Sequence, residues 1–192
     1  MSTTANASEA ALLVVDVQQG FDDPRWGRRN NPTLEARVAE LLGVWRAARR
    51  PVLHARHMST LPSSPLRPGQ RGNDFKAVAA PLPGEAVLEK RVNSCFIGTS
   101  LDEDLRRSGI GGLVLVGLTT NHCVSTTARM AGNLGYTVWV VSDATATFDR
   151  KGPDEVLYPA ELVHAMALSD LHGEFAAVTD TRTLVAEPGR RP

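Results

Sequence analysis

The chain has 192 residues, with 21 basic and 21 acidic side chains and a formal net charge of zero. Its length fits one domain, and the charge balance leaves no broad cationic face to neutralise a phosphate backbone, so nucleic acid is not an expected partner. Apolar residues make up 42% and charged residues 22%, the composition of a chain that buries a core and not of a disordered one.

No apolar run approaches the ~20 residues that span a bilayer; the longest are 10–15, 113–116 and 138–141. No membrane partner is expected. The first nine residues carry neither the basic patch nor the apolar stretch of a secretory signal, which makes the cytoplasm the expected compartment. In that reducing setting Cys95 and Cys123 are expected to be free thiols. Residues 1–9 and 187–192 lack periodicity and are expected to be disordered ends, leaving 10–186 as the single domain.

In chain order, Ala11-Leu-Leu-Val-Val15 is a short valine-rich run suited to a strand buried on both faces. From Thr33 to Arg50 the apolar residues Leu34, Val38, Leu41, Leu42 and Trp45 recur at helical spacing until Pro51 stops the run. Pro51–Ala55 and Ala86–Leu88 read as the next two strands. Between them, Arg56 to Glu85 holds five prolines and three glycines with no clean period. A loop of that length is characteristic of lids and binding loops, with a subunit contact as the alternative. The second half alternates regularly: helix Ser100–Ser108, strand Gly112–Val116, helix Asn121–Leu134, strand Thr137–Val141, helix Pro159–Leu171 and strand Phe175–Val178. This beat predicts an α/β fold, a doubly wound, Rossmann-like and mostly parallel sheet of six strands with helices on both faces. Ligands of such sheets bind beyond the carboxyl ends of the strands.

Three residues fall there. Asp16 directly follows the first strand; a carboxylate at that place is partly desolvated and serves as a proton carrier, as half of an ion pair, or merely as a loop cap. Lys90 follows the third strand and is one of only three lysines, with Lys76 and Lys151, against eighteen arginines. Lysine supplies a compact, tunable ammonium, although a solvated surface lysine would look the same. Cys123 lies after strand 112–116 at the expected helix N-terminus, where unpaired N–H groups favour a thiolate and can hold an oxyanion; an inert core thiol is the alternative. The ends of the first, third and fourth strands can meet in one crevice, and a thiol beside a carboxylate base and an ammonium makes a workable nucleophilic site.

The segments Asp16-Val-Gln-Gln-Gly-Phe21, Lys90 with Ser94-Cys-Phe-Ile-Gly-Thr99, Val116-Gly-Leu-Thr-Thr-Asn-His-Cys-Val124 and Val141-Ser-Asp-Ala-Thr-Ala-Thr147, in this order, resemble the isochorismatase-like cysteine hydrolases. That family includes nicotinamidases, N-carbamoylsarcosine amidohydrolase and isochorismatases. The resemblance runs from about Ala11 to Val185 and implies that Cys123 is the nucleophile, Asp16 the general base and later acid, and Lys90 their electrostatic partner. It also implies a non-proline cis peptide between Leu118 and Thr119 and an oxyanion hole made by the backbone N–H groups of Thr119 and Cys123. A dimer or tetramer acting on a small molecule is implied as well. Cys95 falls where relatives commonly carry a small residue, which marks it as packing.

Nicotinamidases carry an Asp-x-His and a further His after the second strand to bind a metal. Here the stretch is His54-Ala-Arg-His-Met58, without that Asp, and a spacing of three in an extended segment sends His54 and His57 to opposite faces. No metal and no cofactor are expected. His122 reads as a turn residue or pocket wall, and His164 and His172 as packing or subunit-contact residues. Phe21 and Trp26, with Phe148, are candidates for the substrate pocket, and Arg56 or Arg67 for binding an acidic group. The presence of the cysteine favours hydrolysis of an amide, carbamoyl or ureido C–N bond. The alternatives are vinyl-ether hydrolysis of the isochorismatase type and a non-catalytic Rossmann-like binding protein. The latter is disfavoured because no G-x-G-x-x-G follows the first strand.

Overall fold

Strand β1, Ala11–Val15, is buried at every residue, as a continuous apolar run must be when helices cover both faces of a parallel sheet. The computed structural model describes residue 7 and residues 9–186, so the expected disordered ends fall, apart from Ala7 and Glu9, outside the described residues. Around β1 the sheet adds β2 (Val52–His57), β3 (Ala86–Lys90), β4 (Gly112–Leu118), β5 (Thr137–Ala146) and, after a two-stranded hairpin of β6 (Arg150–Lys151) and β7 (Leu157–Tyr158), β8 (Ala177–Thr179). The order is β3-β2-β1-β4-β5-β8, and every neighbouring pair is parallel. The chain moves outward from β1 to β3 and then returns to lay β4 against β1. Strand order therefore reverses between β1 and β4, the position at which such sheets open a crevice.

Helix α1 (Leu34–Ala47) buries Leu34, Val38, Leu41, Leu42 and Trp45, the stripe its spacing predicts. With α5 (Thr181–Ala186) it covers one face, where Leu12, Val14, Val114, Val116 and Val141 form a core with Leu184. The other face packs Leu13, Val15, Leu113, Leu115 and Val140 against α2 (Leu101–Arg107), α3 (Ser125–Asn133) and α4 (Ala160–Leu171). Successive residues of β1 thus serve opposite cores, as the two-residue period of a strand requires.

Four details differ from the sequence reading. Helix α3 begins at Ser125, not Asn121, because Thr120–Val124 is wound as one π-helical turn in which Val124 N–H reaches back to Thr119 O at 3.2 Å. Strand β5 continues past Val141 to Ala146, with a register shift opposite β4 between Leu115 and Gly117. Gly117 has φ 116°, and a Cβ there would stand 1.9 Å from Val15 O, so only glycine lets β4 approach the end of β1. Finally, α5 and the β6–β7 hairpin have no counterpart in the sequence reading; their segments are too short to show a period.

The long loop after β2 folds back onto the segment after β1. Gln19 N–H donates to Asp74 O at 2.9 Å and Lys76 N–H to Val17 O at 2.9 Å, while Asn73 Nδ2 donates to the carbonyls of His57 and Leu66. Gly20 and Gly72 allow this close approach: a Cβ on either would fall within 2.8 Å of Pro65 O.

Candidate active site

Each of the three residues singled out at strand ends is positioned by its strand. Asp16 is the residue after β1; its N–H still bonds to Ala55 O at 3.0 Å, but its φ of 51° ends the extended run, a left-handed turn that aspartate tolerates better than most residues. Lys90 is the last residue of β3 and Cys123 lies in the π-turn after β4. Asp16 and Lys90 are fully buried, and Cys123 is 8% exposed.

They converge on the Lys90 ammonium. Nζ donates to Asp16 Oδ2 at 2.6 Å, to Cys123 Sγ at 3.3 Å and to the Val92 carbonyl at 3.3 Å, and His57 Nδ1 lies 3.2 Å away. Burial works against the charge on Lys90, but Asp16 and Cys123 outweigh it and hold the ammonium above its ordinary pKa. Burial and the Asp16 carboxylate push the Cys123 thiol well above its usual range, against the pull of Lys90. Burial and Asp16 thus oppose the thiolate that a helix end favours, and Lys90 supports it. The reason is geometric: Cys123 precedes α3 by two residues and is surrounded by buried side chains. Asp16 Oδ1 is buried and has no hydrogen-bond partner among the described residues, which leaves one oxygen of the carboxylate free beside the thiol.

The turn that carries Cys123 is braced from one side by the chain after β5. Thr120 Oγ1 meets His164 Nδ1 at 2.8 Å, Thr147 Oγ1 donates to Asn121 Oδ1 at 2.6 Å, and Arg150 Nη1 approaches His122 Nε2 at 2.9 Å. His122 and His164 are thus turn supports, and His164 is tied to the site by a specific bond beyond packing. The Leu118–Thr119 peptide is cis, and Thr119 N–H finds no acceptor among the described residues.

A family model for the isochorismatase domain matches residues 10–183. The chain belongs to the isochorismatase family of hydrolases. It is similar to the isochorismatase family protein YrdC of Bacillus subtilis (strain 168), 42% identical over 175 residues that cover 91% of this chain and 94% of the relative. Among solved structures it resembles an isochorismatase-family protein from Chromobacterium violaceum, with a TM-score of 0.91, 42% identity and 97% of each chain covered. Two amidases are more distant relatives. Nicotinamidase 3 of Arabidopsis thaliana is 29% identical, covering 91% of this chain and 86% of its own. N-carbamoylsarcosine amidase from Thermoplasma acidophilum is 27% identical with a TM-score of 0.72, covering 90% and 96%.

In this isochorismatase-family chain the three aromatic candidates for the substrate pocket group together. Phe148 stacks with Phe21 and with Trp26 at centroid distances of 6.1 and 5.6 Å, and Phe21 meets Trp26 at a tilt at 5.2 Å; the three pack with the α1-side core, and Cys123 with the core of the other sheet face. His54 is fully buried, its Nε2 on Glu85 Oε2 at 2.9 Å, while His57 turns to the site, so the two histidines diverge as their spacing requires. Arg56 is paired with Glu89, and Arg67 is exposed. Cys95 is a fully buried free thiol whose pKa burial pushes up to about 12.

Two residues at the site were not found from the sequence. Asn93 Oδ1 stands 3.8 Å from Cys123 Sγ; only its nearness to Lys90 in the sequence hinted at this. His57 brings a ring nitrogen within 4.8 Å of donor atoms from Asp16 and Cys123. Those carboxylate, imidazole and thiol donors are of the kinds zinc accepts. Each of them also contacts the Lys90 ammonium.

Proposed function

We propose that the protein hydrolyses an amide, carbamoyl or ureido C–N bond of a small molecule through a thioester on Cys123. The observation that carries this reading is the unpartnered Asp16 Oδ1, buried beside the thiol while Oδ2 is held by Lys90. Asp16 takes the thiol proton as Sγ attacks the carbonyl carbon, and the fixed ammonium offsets the negative charge that passes through the site. The N–H groups of Thr119 and Cys123 serve as oxyanion donors in this scheme. Asp16 then gives the proton to the departing nitrogen, the C–N bond breaks and a thioester remains. Water attacks the thioester while Asp16 accepts its proton, the acid leaves, and the proton returns to Sγ. The amidase relatives support this chemistry.

The test is a screen of nicotinamide, N-carbamoylsarcosine and ureidoacrylate for ammonia release, with isochorismate and pyruvate release in parallel, and with Cys123→Ala as control. Mass spectrometry of quenched protein should show an acyl group on Cys123. Ammonia release that survives in Cys123→Ala, or pyruvate release without any acyl adduct, would overturn the reading.

A further inference from the structure

His57 is built into the site through both its ring and its backbone. In the sheet register it pairs directly with Lys90, so the two side chains rise from the same face. Its ring Nδ1 lies 3.2 Å from Lys90 Nζ. An ammonium has three protons and no lone pair; Asp16, Cys123, the Val92 carbonyl and Nδ1 share them, and a proton on Nδ1 would meet the positive charge, so Nδ1 turns its lone pair to Lys90 and the ring proton sits on Nε2. That atom has no partner among the described residues, although the ring is half-buried. Gln18, itself fully buried, clamps the backbone on both sides: Oε1 accepts from His57 N–H at 2.9 Å and Nε2 donates to His57 O at 3.2 Å. Asn73 Nδ2 adds a second donor to the same carbonyl at 2.8 Å. The charged and titratable groups facing the ring are Asp16 from the end of β1, Lys90 from β3 and Cys123 from the turn. A side chain oriented this firmly, with one donor left over next to the nucleophile, has work to do beyond packing.

We propose that His57 binds the substrate: with Nδ1 taken by Lys90, it presents Nε2–H to a carbonyl or carboxylate oxygen of the molecule whose scissile carbonyl lies over Cys123. The inference rests on the hydrolase reading for the substrate, though not for the tautomer. It narrows the substrate class to compounds carrying a second oxygen acceptor near the scissile bond, such as acylureas and carbamoyl amino acids, over simple alkyl amides.

Two activated esters test it, mono-4-nitrophenyl succinate, which carries a carboxylate acceptor, and 4-nitrophenyl butyrate, which does not. The wild-type protein should favour the succinate by about tenfold or more in kcat/KM, the lower end for one hydrogen bond to a charged group. His57→Gln, whose amide N–H falls near the ε nitrogen, should keep most of that preference. His57→Asn, whose amide oxygen falls near the δ nitrogen and which still accepts from Lys90, should lose it, with the loss in KM. An equal preference in wild type and both variants overturns the proposal. Long-range 1H–15N correlation on the labelled wild-type protein at neutral pH gives a second readout, needing no turnover. The Nε2–H pattern for His57 is expected, and the Nδ1–H pattern overturns the proposal. Absence of any Cys123-dependent nitrophenol release would instead sink the hydrolase reading and the substrate role with it, while the NMR pattern still decides the tautomer.

Discussion

The Asp16–Lys90 pair allows a quantitative test of how the site is held. Both side chains are fully buried and their charged atoms stand 2.6 Å apart. Lys90→Met keeps an apolar stem of similar length but leaves the Asp16 carboxylate buried without a counter-ion. Removing one partner of a buried pair costs about 3–5 kcal/mol, because the survivor has lost its water without compensation. Asp16→Asn should cost a similar amount, since it strands the ammonium. The double substitution removes both charges and should recover most of the loss. Urea unfolding at neutral pH measures all four proteins. The pair also fixes a pH signature. Lys90 is raised in the folded state, so its contribution is complete below the unfolded lysine value of ~10.4 and is lost as pH rises through the folded value. The gap between wild type and Lys90→Met should therefore narrow only in strongly alkaline solution. A single substitution costing less than about 1 kcal/mol, the figure for a solvated surface pair, would refute the reasoning.

Three further outcomes are expected. Asp16→Asn removes a carboxylate that works against the Cys123 thiolate, so iodoacetamide should alkylate Cys123 faster at neutral pH in that variant than in wild type, even as hydrolysis is abolished; an unchanged rate would show that burial alone sets the thiol, and a slower one that the carboxylate promotes its ionisation. His54, His57, His122 and His164 are all lowered, burial being the largest cause. The stability they contribute is present above the unfolded histidine value of ~6.5 and is lost as pH falls through their folded values. The Tm should accordingly rise between about pH 5 and pH 7, with a shallower slope in His164→Gln, and a Tm flat across that window would contradict the assignment. Gly117→Ala must place a Cβ 1.9 Å from Val15 O at φ 116°. A loss of about 3 kcal/mol or more, at the upper end for point substitutions, should appear in urea unfolding, and a loss under about 1 kcal/mol would mean that β4 can shift away from β1.

Much of this architecture was legible because its signals are local. The run Ala11–Val15, the stripe from Leu34 to Trp45 and the alternation after Ser100 each mark an element by hydrophobic period alone, and strand ends then point to Asp16, Lys90 and Cys123. Where the reading stopped short, the deciding contact was distant in sequence. His54 and His57 do face opposite ways, but the parity of Leu53, Ala55 and His57, which places His57 on the Cys123 side, has meaning only once the register with Lys90 is known. The helix end that favours a thiolate acts locally, whereas the burial that works against it comes from side chains across the sheet. The π-turn at Thr120–Val124 is invisible to a search at helical spacing, since five residues cannot distinguish the two windings. The way segment 56–85 folds back is not legible in the sequence because its anchors, Gln18, Gln19 and Val17, belong to the segment after β1.

One consequence follows from the position of β3. It is an edge strand, with Ala86, Val87 and Glu89 exposed, and it ends in the ammonium that holds Asp16 and Cys123 together from positions 74 residues before it and 33 residues after it. Edge elements detach at free energies below that of global unfolding. Molecules with β3 detached would retain a hydrophobic core on both sheet faces and yet have a carboxylate and a thiol with no cation between them. Turnover is thereby a gauge of sheet completeness: on adding denaturant it should fade while far-UV circular dichroism still reads folded, the interval between the two curves measuring how firmly the last strand is fastened.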